Sequence, residues 1–127
     1  IAFAFTKAER TDAAPVDPPQ CKALALFNQG VRPVLAAPCA AMCHGGGLPT
    51  AKSAFDMSSA SSMDVEVQKK LCLQTLSRVN LPDPGRSVIV LQATPAAQGG
   101  TPNHPYKLPS PAAFRDAVSA WAAAEKK

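Results

Sequence analysis

Six residues in the 127-residue chain have side chains suited to redox or metal chemistry: four cysteines and two histidines. The tightest grouping is Cys39-Ala40-Ala41-Met42-Cys43-His44, two thiols four positions apart with an imidazole directly after the second. That order suits covalent attachment of a c-type haem, in which two neighbouring cysteines add to the vinyl groups and the following histidine is the proximal iron ligand. Gly45, Gly46 and Gly47 come next and would let backbone pass close to a porphyrin edge. Two plainer readings compete. Cys39 and Cys43 could form a local disulfide, or the cluster could hold zinc, although adjacent Cys43 and His44 fit poorly at two corners of one tetrahedron and further ligands are scarce.

A second axial ligand has few candidates. The one other histidine, His104, lies in Gly99-Gly100-Thr101-Pro102-Asn103-His104-Pro105-Tyr106, where prolines on both sides leave little conformational entropy to lose. Met57 and Met63 are the alternatives, while Met42 falls within the attachment segment itself. Two imidazoles would favour ferric iron and give a closed, low-spin centre that moves electrons rather than binding substrate. An open sixth position would instead permit small-ligand chemistry, as in a sensor. The sequence offers no convincing acid or base to assist a reaction there, so an enzyme is not expected.

These groups must be carried by short elements. Apolar spacings of three and four from Leu24 to Leu35 predict a helix through Asn28, a kink or break at Gly30 and a further short turn before Pro38. Pro38 to Thr50 reads as a loop opening on the cysteine motif, and residues 51–63 as a serine-rich connection anchored by Phe55, Met57 and Met63. Asp64 is a plausible N-cap for a helix to about Val79. Asp83-Pro84-Gly85-Arg86-Ser87 leads into a short apolar turn, Val88 to Leu91, followed by a loop from Pro95 to Pro111. A last helix runs from Ser110 as N-cap, with Pro111 at its first position, past Phe114, Val118 and Trp121 to Glu125. The first helix and the one after Asp64 carry Cys21 and Cys72. If they pack together, these two form a disulfide; otherwise they are buried free thiols acting as small apolar groups.

The stretch Pro38 to Gly46 resembles the haem-attachment segment of the cytochrome c family, with three residues between the cysteines instead of two. "VRPVLAAPC" before it, "LPDPGRSVIVLQ" after it and "HPYKLPSPAAFRDAVSAW" near the end are similar to the plan of small bacterial monohaem cytochromes c. The resemblance covers roughly residues 24 to 122. It implies an all-α fold with long loops wrapped around one covalent haem c, Cys39 and Cys43 as attachment points, His44 as proximal ligand and His104 as distal ligand. It also implies single-electron transfer with redox partner proteins. The extra residue between the cysteines would be absorbed by a bulged loop.

Composition sets the frame. Apolar residues make up 46% and charged ones 17%, which suits a folded chain with one modest core. The 13 prolines and 6% aromatics argue against a sheet protein. A net charge of +4 is spread from Lys7 to Lys127, too thin and scattered for a nucleic-acid binder. No run is long enough for a membrane helix. Starting at Ile1, the chain reads as a processed, exported form, periplasmic or extracellular. Residues 1–19 read as an extended, Pro-rich arm on a haem domain of residues 20–127. Ile1, Phe3 and Phe5 alternate with alanines, a pattern that could dock residues 1–10 on another copy as an added strand or plug and so build an electron-conducting filament. The simpler alternative is an arm that folds back or stays disordered.

Overall fold

The computed structural model describes residues 20–127, and the expected N-terminal arm lies outside the described residues. All regular structure among the described residues is helical, in line with the all-α expectation. Helix α1 is continuous through Leu24–Leu26, Phe27–Val31 and Arg32–Val34, and it leads into α2, Leu35–His44, whose winding is π-type. The remaining helices are α3 (Pro49–Ala54), α4 (Val65–Leu76), α5 (Val88–Ala93) and α6 (Pro111–Glu125). Single 3-10 turns at Pro84–Arg86 and Ala96–Gln98 link the later ones.

Of the kink or break expected at Gly30, the break does not occur, and the irregularity there is a change of winding. Over Phe27–Val31 the helix widens to π-type winding and then resumes as α at Arg32–Val34. This places Pro33 near the start of a fresh α turn, where its missing N–H costs little. Gly30 serves a different purpose: a Cβ there would stand 3.1 Å from the Cβ of Ala117, so it marks the close crossing of α1 and α6. The real interruption falls at Ala37, whose extended backbone (φ −151°, ψ 119°) precedes Pro38, as steric exclusion of helical ψ before proline requires.

Around that crossing lies the core. Phe27 and Trp121 are both fully buried, their ring centres 5.1 Å apart, and Val31, Leu35, Leu71, Phe114 and Val118 are among the residues that pack with them. Glu125, nearly buried at the end of α6, accepts hydrogen bonds from the N–H groups of Lys22 and Ala23 at 2.9 Å each and from Trp121 Nε1 at 3.0 Å. The start of α1 has no side-chain cap of its own, so the last helix supplies acceptors to the first. Beside this contact Cys21 and Cys72 are joined as a disulfide, with Cα atoms 6.0 Å apart.

Helix α4 starts as expected, with the Asp64 carboxylate accepting from Glu66 N–H at 2.9 Å and Val67 N–H at 3.4 Å. It ends at Leu76, short of Val79. Two segments expected as irregular are helical: the cysteine motif itself within α2, and Pro49–Ala54. Proline at the first position of α3, like Pro111 in α6, fits the helix entry.

Candidate functional site

Cys39 and Cys43 sit on α2, and helical winding brings positions four apart onto one face. Both thiols are free and half-buried, and both line one cavity of about 430 Å³. The third residue between them is therefore taken up by a turn of helix and not by a bulged loop. Burial pushes the Cys39 thiol up to about 11, and the nearby Cys43 adds to the rise. The glycines after the motif act locally. Gly45 N–H donates to the Ala40 carbonyl at 2.9 Å, and a Cβ at Gly45 would lie 2.5 Å from that oxygen. Gly46 takes the left-handed region at φ 126°. Together they end α2 in a tight reversal.

His44, the last residue of α2, turns its Nδ1 to the Phe55 carbonyl oxygen at 2.8 Å. The Met57 N–H donates to the His44 carbonyl at 3.1 Å, so residues 55–57 form a strap fastened to His44 at both side chain and backbone. Arg78 steadies the strap from outside. Its guanidinium lies 4.1 Å from the centre of the Phe55 ring and donates to the Ala54 carbonyl at 3.0 Å.

His104 comes from the opposite wall. Its Nδ1 faces the Tyr106 carbonyl at 2.8 Å, and the surrounding loop is laced onto α5. Thr101 N–H donates to Leu91 O at 2.9 Å, Leu108 N–H to Ala93 O at 2.9 Å, and the Lys107 ammonium to the Gln92 and Thr101 carbonyls. Gly100 is required at the turn, since a Cβ there would collide with the Thr94 carbonyl. Sequence reasoning missed Gly100, Lys107 and Arg78 as positioning residues. The adjacent glycines at 99 and 100 were a usable signal for the turn, while nothing local marks Arg78 or Lys107.

The two imidazoles lie in the same cavity with ring centres 6.3 Å apart and planes within 13° of parallel. A ring nitrogen facing a carbonyl oxygen must carry the proton, so Nδ1 is the donor in both histidines.

The methionines divide. Met57 is buried and lines the cavity, with its backbone on the His44 strap. Met63 is 81% exposed and stands outside the lining, so it is not placed to reach a metal there. Among the described residues the one gathering of three or more potential ligand side chains is Cys21, Cys72 and Glu125. Its two cysteines are spent in the disulfide; Cys39, Cys43 and His44 are not gathered within ligand distance of one another, and a local Cys39–Cys43 bridge is not formed. Phe114 lines the cavity, Phe27 and Trp121 lie in the core behind it, and Leu91 contributes the carbonyl that accepts from Thr101.

Compared with known proteins, the chain matches no family model, no curated sequence and no solved structure.

Proposed function

We propose that this chain is a small single-electron carrier that holds one covalent haem c in the cavity between α2, α3, α5 and the His104 loop. The observation that carries the reading is the gathering of His44 and His104 in one cavity with Cys39 and Cys43, the two rings nearly parallel with their centres 6.3 Å apart. Cys39 and Cys43 stand on the same wall as His44 and would hold the macrocycle through two thioethers, while His104 would close the sixth position. Bound there, haem supplies a one-electron ferric/ferrous couple.

The chain's own groups set the character of the site. Two backbone-anchored imidazoles favour the ferric state relative to an imidazole and thioether pair, and a ligand on each side leaves no position for a small molecule. The cavity wall is mainly apolar, with Leu35, Met57, Ile89, Ala93 and Phe114 among its lining, which suits a low-dielectric redox site. This favours a six-coordinate electron carrier over the open-site sensor. Redox partner proteins and an exported, oxidising setting belong to the same reading, and a disulfide suits such a setting.

Absorption spectroscopy of the purified protein tests it. A sharp reduced α-band that carbon monoxide leaves unaltered is expected, and His104→Ala should give a high-spin iron that binds carbon monoxide. An unchanged spectrum in His104→Ala would remove His104 from the site.

A further inference from the structure

Away from the histidines, we infer that Cys21, Cys72 and Glu125 make a redox-gated zinc site, in which the two cysteines, once freed by a dithiol reductant, bind one Zn²⁺ together with the carboxylate. One ligand atom from each of the three already lies within 4.8 Å of the others, and no other such trio is found among the described residues. The fold assembles it: Cys21 stands at the root of α1, Cys72 on α4 and Glu125 at the end of α6. Glu125 Oε2 is 3.4 Å from Cys21 Sγ. With zinc about 2.0 Å from oxygen and about 2.3 Å from sulfur, a tetrahedral oxygen–sulfur edge is about 3.5 Å, so this pair is already at coordinating distance. In the disulfide the sulfur has no proton to donate, and the contact is left without a shared hydrogen.

The carboxylate bears a second mark of a metal ligand. Glu125 is only 6% exposed, yet it is held by the neutral N–H groups of Lys22, Ala23 and Trp121, and among the described residues no ammonium or guanidinium pairs with it. Buried charges are paired or coordinate metals, and a divalent cation supplies the missing charge. The three donors take up three of about four lone-pair directions; they fix the carboxylate plane, as outer donors do for metal-bound carboxylates, and leave one direction open. Reduction provides the other ligands. Cys72 is fully buried and Cys21 half-buried, so a thiolate of the reductant attacks Cys21 Sγ, breaks the S–S bond and expels Cys72 as thiolate. The reductant's second thiol then displaces Cys21 and closes the reductant's own disulfide, so two electrons pass to the chain. Zinc displaces the protons the freed thiolates take up, and rotation of the cysteine side chains opens the sulfurs to an edge of about 3.8 Å. Water takes the fourth corner from the side of Cys21. Metal then clasps the two positions, 51 residues apart, that the disulfide had joined.

The test uses the full chain, reduced with a phosphine so that no dithiol competes for the metal, and given one equivalent of zinc chloride. Expected after desalting is one zinc per reduced chain and none on the disulfide form. Zinc X-ray absorption should show two sulfurs at about 2.3 Å and an oxygen shell at about 2.0 Å. Iodoacetamide should label Cys21 in the reduced, zinc-free chain, and zinc should abolish that labelling, since the bound thiolate no longer attacks. Cys39→Ala/Cys43→Ala should keep the zinc, Cys21→Ser/Cys72→Ser should lose it, and Glu125→Gln should bind it about 10-fold more weakly or worse. Protection of Cys21 is read in the parent chain, so a variant that fails to fold does not blunt the test. A reduced chain that takes up no zinc, Cys21 labelled equally with and without zinc, zinc lost in Cys39→Ala/Cys43→Ala, or unchanged affinity in Glu125→Gln would each overturn the inference. These readouts follow zinc and not haem, so this site and the electron-carrier reading can fail separately.

Discussion

Two backbone carbonyls set how the histidines of this chain are held. His44 and His104 each spend Nδ1–H on a backbone carbonyl, to Phe55 and Tyr106 at 2.8 Å, which fixes the orientation of both rings. The thiols follow another rule. With burial holding Cys39 protonated until about pH 11, its thiolate fraction at pH 8 is very small, and only the thiolate attacks an alkylating agent. In the haem-free folded chain, iodoacetamide should therefore leave Cys39 largely unmodified at pH 8, with the rate climbing as pH approaches 11. Mass spectrometry of the Cys39 peptide reads this, and rapid labelling at pH 8 would show that the thiol is not buried. At this scale the sequence was informative, because Cys43-His44 is contiguous and His104 has no rival histidine. The anchors were not legible: Phe55 O and Tyr106 O are backbone atoms, which no residue pattern advertises.

The elements show where local signals suffice and where they fail. The Asp64 cap and the Pro111 start of α6 are written in two or three adjacent residues, and both helices begin where those residues place them. Gly30 misled, because a glycine is equally the mark of a helix break and of a close helix crossing, and only the distant Ala117 decides between them. The cysteine motif misled in the same way: its place between Pro38 and three glycines suggests a loop, while the backbone hydrogen bonds wind it into α2. The contact of Glu125 with Lys22 and Ala23 joins positions about one hundred residues apart and has no local signature. Its role predicts that Glu125→Ala strands two backbone N–H groups and the Trp121 indole, costing about 3 kcal/mol. Thermal unfolding followed by Trp121 fluorescence measures it, and a change under about 0.5 kcal/mol would mean water replaces the carboxylate.

For the whole molecule, a small chain has been folded around an apolar cavity of about 430 Å³, and that choice leaves little core to spare. The Cys21–Cys72 crosslink spans a separation of 51 residues, worth about 4 kcal/mol through the entropy of the unfolded chain. Cys21→Ser/Cys72→Ser should lose about that much in denaturant unfolding, with a larger m-value as the unfolded chain expands. An unaltered midpoint would show that the helices hold this end unaided. The 46% apolar content and few aromatics of the sequence made one thin core foreseeable, but composition cannot say that the core has a cavity between two histidines.

The central claim is that Cys39 and Cys43 hold one haem covalently, between His44 and His104. The intact mass of the protein, expressed with export and haem attachment and measured after full denaturation, tests it most directly. A mass greater than the polypeptide by one haem, reverting to the bare chain in Cys39→Ala/Cys43→Ala, is the predicted result. A parent protein with the mass of the bare polypeptide under those conditions would contradict it.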